Sequence, residues 1–91
     1  MPEKTFTLEI VTPDKVVTSD DEVVSLTVPG AEGYLGILAD HAPLMTELAI
    51  GEITVRRADG QTMIIAGTDG FMEVSNNKVT FLVKTAEKAE E

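Results

Sequence analysis

The chain has 91 residues with no cysteine, and 16 acidic side chains against 7 lysines and arginines leave a net charge of −9. That length limits it to one small domain, and the missing thiols exclude disulfide, thiolate-metal and cysteine-nucleophile chemistry. So acidic a domain is repelled by phosphate backbones and anionic lipid, which argues against nucleic acid and direct lipid insertion; the charge reads first as a solubility device, with a basic partner surface as the sharper alternative. Its apolar runs are only about four or five residues long, and Met1-Pro2-Glu3-Lys4-Thr5 is polar, so neither a membrane span nor a signal segment is expected and the reading is a soluble intracellular domain.

Thr5 to Val11 alternates, with Phe6, Leu8 and Ile10 on one face, the pattern of a half-buried strand. Thr12-Pro13-Asp14-Lys15 turns the chain. Val16-Val17-Thr18 predicts a short strand ended by the solvated turn Ser19-Asp20-Asp21, and Glu22 to Val28 predicts the next, with Val24, Leu26 and Val28 inward. From Pro29 to Leu44 three glycines, Gly30, Gly33 and Gly36, precede an apolar run and a polar corner at Asp40-His41, with Pro43 extending the exit; this predicts a folded-over loop closed by a tight corner. It has neither the G-x-G core of a dinucleotide fingerprint nor the Gly-Lys-Ser/Thr of a P-loop.

Leu44 to Leu48 and Glu52 to Arg57 read as strands. Asp59-Gly60 predicts a two-residue type I′ hairpin into Thr62 to Ala66, which is apolar on both faces and therefore central. Gly67-Thr68-Asp69-Gly70 predicts a sharp bend, and Phe71 to Val74 and Val79 to Val83 a further hairpin through Asn76-Asn77, with Phe71 assigned to the core. Residues 1–85 form the domain; Thr85 to Glu91 has helical composition but is too short for a stable helix, so 86–91 are expected to be a frayed polar tail. Nine or ten short strands at this spacing specify an all-β antiparallel sandwich or barrel.

Catalytic equipment is sparse. His41 is the lone histidine, without metal-ligand spacing, and no Gly-x-Ser-x-Gly elbow is present. Asp20-Asp21-Glu22 lacks the alternation and glycine of a calcium loop. No catalytic residue, cofactor or metal site is therefore expected. A small-ligand-binding sandwich remains an alternative, with Tyr34 and Phe71 as candidate pocket residues. The semi-apolar, glycine-rich stretch around Tyr34-Leu35 favours a protein-binding subunit instead.

Gly33-Tyr34-Leu35-Gly36-Ile37-Leu38-Ala39-Asp40-His41-Ala42-Pro43-Leu44, supported by Ile50 to Val55 and Gly70 to Val79, resembles the N-terminal β-sandwich domain of the epsilon subunit of F-type ATP synthases. The resemblance runs from Leu8 to Glu87. It implies a ten-stranded sandwich of two five-stranded sheets on the central stalk, with no chemistry of its own, coupling proton-driven rotation to ATP synthesis. It implies partners in the gamma subunit, the loops of the membrane c-ring and, through gamma, the catalytic head. The location implied is peripheral, on the cytoplasmic or equivalent side of an energy-transducing membrane. By position, Glu32, Tyr34 and Leu35 would face the c-ring, and Thr12, His41, Met45 and Thr46 would face gamma. The family commonly has an acidic residue where Tyr34 stands, so the ring contact is expected to rest on aromatic packing with Glu32 supplying charge. The Gly67-Thr68-Asp69-Gly70 stretch departs from the family's usual Gly-Gly pair. Family members usually continue into a helical hairpin, so the chain as given is expected to lack hairpin-type inhibition and nucleotide binding.

Overall fold

Alternation decides the strands, and among the described residues nine of them build the fold. The computed structural model describes residues 4–67 and 69–89, with no side-chain detail at 88 and 89. The order is β1 Phe6–Val11, β2 Val16–Gly30, β3 Gly33–Leu38, β4 Leu44–Leu48, β5 Gly51–Arg57, β6 Thr62–Gly67, β7 Gly70–Ser75, β8 Lys78–Val83 and β9 Ala86–Ala89. The inward set Phe6, Leu8 and Ile10 of β1 is buried as its period-two pattern requires.

Val16–Thr18 and Glu22–Val28, expected as two strands, are not separate. They run together as the 15-residue β2, and Asp20 and Asp21 lie inside that strand rather than in a turn. The first half of β2 pairs with β1, from Val11↔Val16 to Phe6↔Val23; the second half pairs with β3 and β5. One layer is thus β2(first half)–β1–β8–β7–β4 and the other β3–β2(second half)–β5–β6–β9, joined through the shared strand. All pairings are antiparallel except β1–β8, which is parallel. A bulge between Val23 and Ser25 opposite Arg57 and Arg56 puts an extra residue into β2, so Val23 and Val24, expected on opposite faces, are both buried.

An ion-pair cluster holds this junction. Arg57 Nε donates to Asp20 Oδ2 at 2.6 Å, and the guanidinium also pairs with Asp59 and Glu22. The hydrogen bond to Asp20 raises the Arg57 pKa above its ordinary value, so the cation persists wherever the chain is folded. Residues from both layers, among them Leu8, Ile10, Phe81 and Met72 from one and Leu26, Ile37, Val55 and Ile65 from the other, share one core.

Turn chemistry differs from expectation at one hairpin. Asp59-Gly60 does not make a type I′ turn: only Gly60 has positive φ (88°), Gly60 N–H donates to Arg57 O, and Arg57 N–H donates to Gln61 O. These bonds define a three-residue loop with glycine in the left-handed position. Type I′ geometry occurs instead at Asn76 (φ 52°) and Asn77 (φ 59°), which close the β7–β8 hairpin between Ser75 and Lys78.

Other departures have equally local causes. Phe71, expected in the core, is 50% exposed because Met72 and Val74 hold the inward positions of β7. Residues 86–89, expected within a frayed tail, form β9 against β6, which makes β6 interior to its layer as its two-faced apolarity predicted. Residues 90 and 91, and Thr68 of the predicted bend, lie outside the described residues.

Among the described residues, one buried side-chain oxygen has no partner: Thr18 Oγ1, on a residue opposite Ile10 and facing the core. Replacing that hydroxyl with a methyl removes an uncompensated desolvation cost. Thr18→Val is expected to raise stability by about 1 kcal/mol, or roughly 4–8 °C in Tm. An unchanged or lower Tm would show that the hydroxyl is satisfied in solution.

Candidate interaction surfaces

The glycine-rich stretch forms the tip of the molecule as a hairpin rather than a folded-over loop. Strand β2 continues through Pro29 and Gly30, Ala31-Glu32 turns, and Gly33 at φ 127° begins β3, with Gly30 directly opposite Gly33. Pro29 is tolerated because β5 pairing with β2 has ended at Thr27↔Thr54, while the Pro29 carbonyl accepts from Ala49 N–H at 2.8 Å. The tip is bridged to the other layer by Gly30↔Leu48 and by Ala31 N–H donating to Glu47 O.

This geometry brings Glu32, Tyr34 and Leu35 together. Tyr34 is 65% exposed and Glu32 is exposed, whereas Leu35 is half-buried and packs against the core. Ile50, in the β4–β5 turn, is 75% exposed, and the Tyr34 hydroxyl lies close to neighbouring Gly51. Sequence reasoning missed Ile50; an apolar residue beside a turn glycine was the available signal. An open hollow of about 280 Å³ lies beneath the tip, lined by Glu32, Tyr34, Leu35, Leu44 and Thr46 among others.

The four residues read as gamma-facing are not brought into one patch. His41 stands at the β3–β4 corner, at the opposite end of β3 from Tyr34, where Asp40 takes φ 62° and its N–H donates to Asn77 Oδ1 at 2.8 Å. The His41 ring engages its own loop, with Nδ1 2.7 Å from Ala42 O. Met45 and Thr46 are consecutive in β4 and point to opposite sides: Met45 is 66% exposed on the outer face, and Thr46 faces the hollow with Tyr34. Thr12 opens the β1–β2 turn, at the end of the layer away from His41, with its N–H donating to Lys15 O. His41 and Tyr34 therefore do not share an enclosed pocket. Among the described residues no group of three or more His, Asp or Glu side chains is placed to hold a metal ion.

Comparison with known proteins agrees with the architecture. The family model described as ATP synthase, Delta/Epsilon chain, beta-sandwich domain matches residues 5–89. The chain is 52% identical over 91 residues to the ATP synthase epsilon chain of Pelotomaculum thermopropionicum, covering 100% of this chain and 66% of that one. It is 52% identical over 87 residues to the ATP synthase epsilon chain of Koribacter versatilis, covering 96% and 60%. It thus spans about three fifths to two thirds of these curated relatives. Its fold is similar to that of a chain in the Euglena gracilis mitochondrial ATP synthase OSCP/F1/c-ring structure, with TM-score 0.87 at 24% identity over 92% of this chain and 53% of that one. It is also similar to a chain in the Tetrahymena thermophila mitochondrial ATP synthase central stalk/c-ring structure, with TM-score 0.79 at 17% identity over 96% and 69%.

Proposed function

The chain belongs to the beta-sandwich domain family of ATP synthase delta and epsilon chains, and on that premise we propose that it is a non-catalytic rotor subunit. In this reading it links the gamma subunit to the loops of the membrane c-ring and so couples proton transport to ATP synthesis. It sits peripherally on the membrane complex and meets the catalytic head only through gamma. The observation that carries the reading is a family match covering residues 5–89, the whole sandwich.

The mechanics suit the role. A coupling subunit must pass torque between two contacts without internal slippage. Here the tip hairpin β2–β3 and the layer containing β1, β8, β7 and β4 share one unbroken strand, β2. A load applied at Tyr34 therefore runs along covalent backbone into the other layer, rather than only across side-chain packing. The Gly30↔Leu48 bridge gives a second path into β4.

On this reading Glu32, Tyr34 and Leu35 meet the c-ring, joined by Ile50, and Thr12, His41 and Met45 border gamma, while Thr46, facing the hollow with Tyr34, lies outside that border. The net charge of −9 favours basic loops on the ring side. Titration calorimetry with purified gamma tests the proposal. One-to-one binding is expected, with His41→Ala weakening it by about tenfold, the scale of a contributing interface residue. Absence of binding by a folded chain would remove the function and leave the fold.

A further inference from the structure

One side chain joins three parts of the chain that are remote in sequence. Asn77 Oδ1 accepts from Asp40 N–H at 2.8 Å, and Asn77 Nδ2 donates to Thr5 O at 2.9 Å. The Asn77 carbonyl accepts from Thr7 N–H at 3.2 Å. The β7–β8 hairpin, the β3–β4 corner and the entry to β1 are thereby tied together, at the end of β3 away from Tyr34.

Asparagine suits this position in two independent ways. The second residue of the hairpin turn takes φ 59°, a left-handed conformation that asparagine enters more readily than most side chains. Its two side-chain partners are backbone groups with fixed roles: an N–H donates and a C=O accepts, so the tie needs one acceptor and one donor on the same planar group. Aspartate would set a second oxygen against the Thr5 carbonyl. Glycine would keep the turn and drop both side-chain bonds.

The corner needs such a tie. Residues 39–43 carry the chain from β3 in one layer to β4 in the other, and Asp40 takes φ 62°, which costs energy for a residue with a side chain. The corner's own backbone supplies His41 N–H to Leu38 O at 3.2 Å. Lys4 lies 3.3 Å from Asp40 Oδ2, but side-chain exposures of 82% and 61% leave that pair to solvent screening. The Asn77 amide therefore holds the peptide at Asp40, and His41 is the next residue.

We propose that Asn77 is the positioning residue of the His41 corner, fixing its shape before a partner arrives so that binding need not order it. This deepens the rotor reading and rests on it, since there His41 borders gamma; Asn77 acts through the corner and need not touch gamma.

Asn77→Gly tests the proposal, with folding checked by circular dichroism and melting and with Asn76→Gly, in the same turn, as the control. Hydrogen exchange followed by NMR is expected to show the Asp40 amide exchanging about fivefold faster in Asn77→Gly, the factor one lost hydrogen bond corresponds to, and unchanged in the control. Asn77→Asp keeps an acceptor for Asp40 N–H and is expected to fall between. In calorimetry with purified gamma, Asn77→Gly is expected to bind about threefold to fivefold more weakly. Combined with His41→Ala it is expected to bind as His41→Ala alone does, because nothing is left to position; general loosening of the fold would add its own loss. An Asp40 amide that exchanges at the unaltered rate in Asn77→Gly would overturn the tie. Faster exchange with unchanged affinity for gamma would exclude the positioning role and leave the rotor reading standing. A double variant that loses the full factors of both single changes would show that Asn77 acts apart from His41, and the proposal falls. Should the unaltered chain fail to bind gamma at all, the rotor reading falls and the positioning role with it.

Discussion

Gly70→Ala is expected to cost about 3 kcal/mol, at the upper end of overpacking effects. Gly70 opens β7 between Leu48 of β4 and Val83 of β8. A Cβ there would sit on the Leu82 carbonyl oxygen and 2.9 Å from Val83 Cα. Both neighbours are backbone, so no rotamer change relieves the overlap, and the β7–β8 ladder must open at its start. A domain of this size has roughly 5–10 kcal/mol to lose, so the variant should melt about 12–24 °C lower. Gly36→Ala is the control: a Cβ at Gly36 meets nothing within 4 Å, and the change should stay within about 0.5 kcal/mol. Urea denaturation of the two variants checks this, and equal midpoints would show that β7 and β8 lie farther apart at Gly70.

Phe81→Ala is expected to cost about 3–5 kcal/mol, and Phe71→Ala less than about 1 kcal/mol. The two rings are on adjacent strands and differ in side. Phe81 is 0% exposed and belongs to the shared core, so truncation leaves a cavity between layers. Phe71 is 50% exposed on the outer face and loses little contact in the free chain. Urea midpoints again decide the matter, and a Phe71→Ala loss approaching that of Phe81→Ala would mean that the Phe71 ring packs within the chain.

The family resemblance and the fold class are legible in the sequence because both rest on local patterns. The run from Gly33 to Leu44 is specific enough to carry the resemblance, and Leu44 to Leu48 predicts a strand with the bounds that β4 has. The tip residues Glu32, Tyr34 and Leu35 come together because they are neighbours in sequence. The set expected to face gamma cannot be resolved in the same way. It rests on position in the chain, and consecutive residues such as Met45 and Thr46 fall on opposite sides of a strand.

The sequence by itself determined the period-two strands, the all-β class, the acidic surface and the Asn76-Asn77 hairpin. Each depends on residues within a few positions of one another. Tertiary structure alone decided that β2 passes unbroken between layers, that a bulge buries both Val23 and Val24, and that residues 86–89 pair with β6. It also gathered Val16, Met45, Phe71 and Leu82 onto one face. Those residues come from four strands, of which only β7 and β8 are consecutive in the chain, and ladder register, set by the packing of the whole core, puts them side by side.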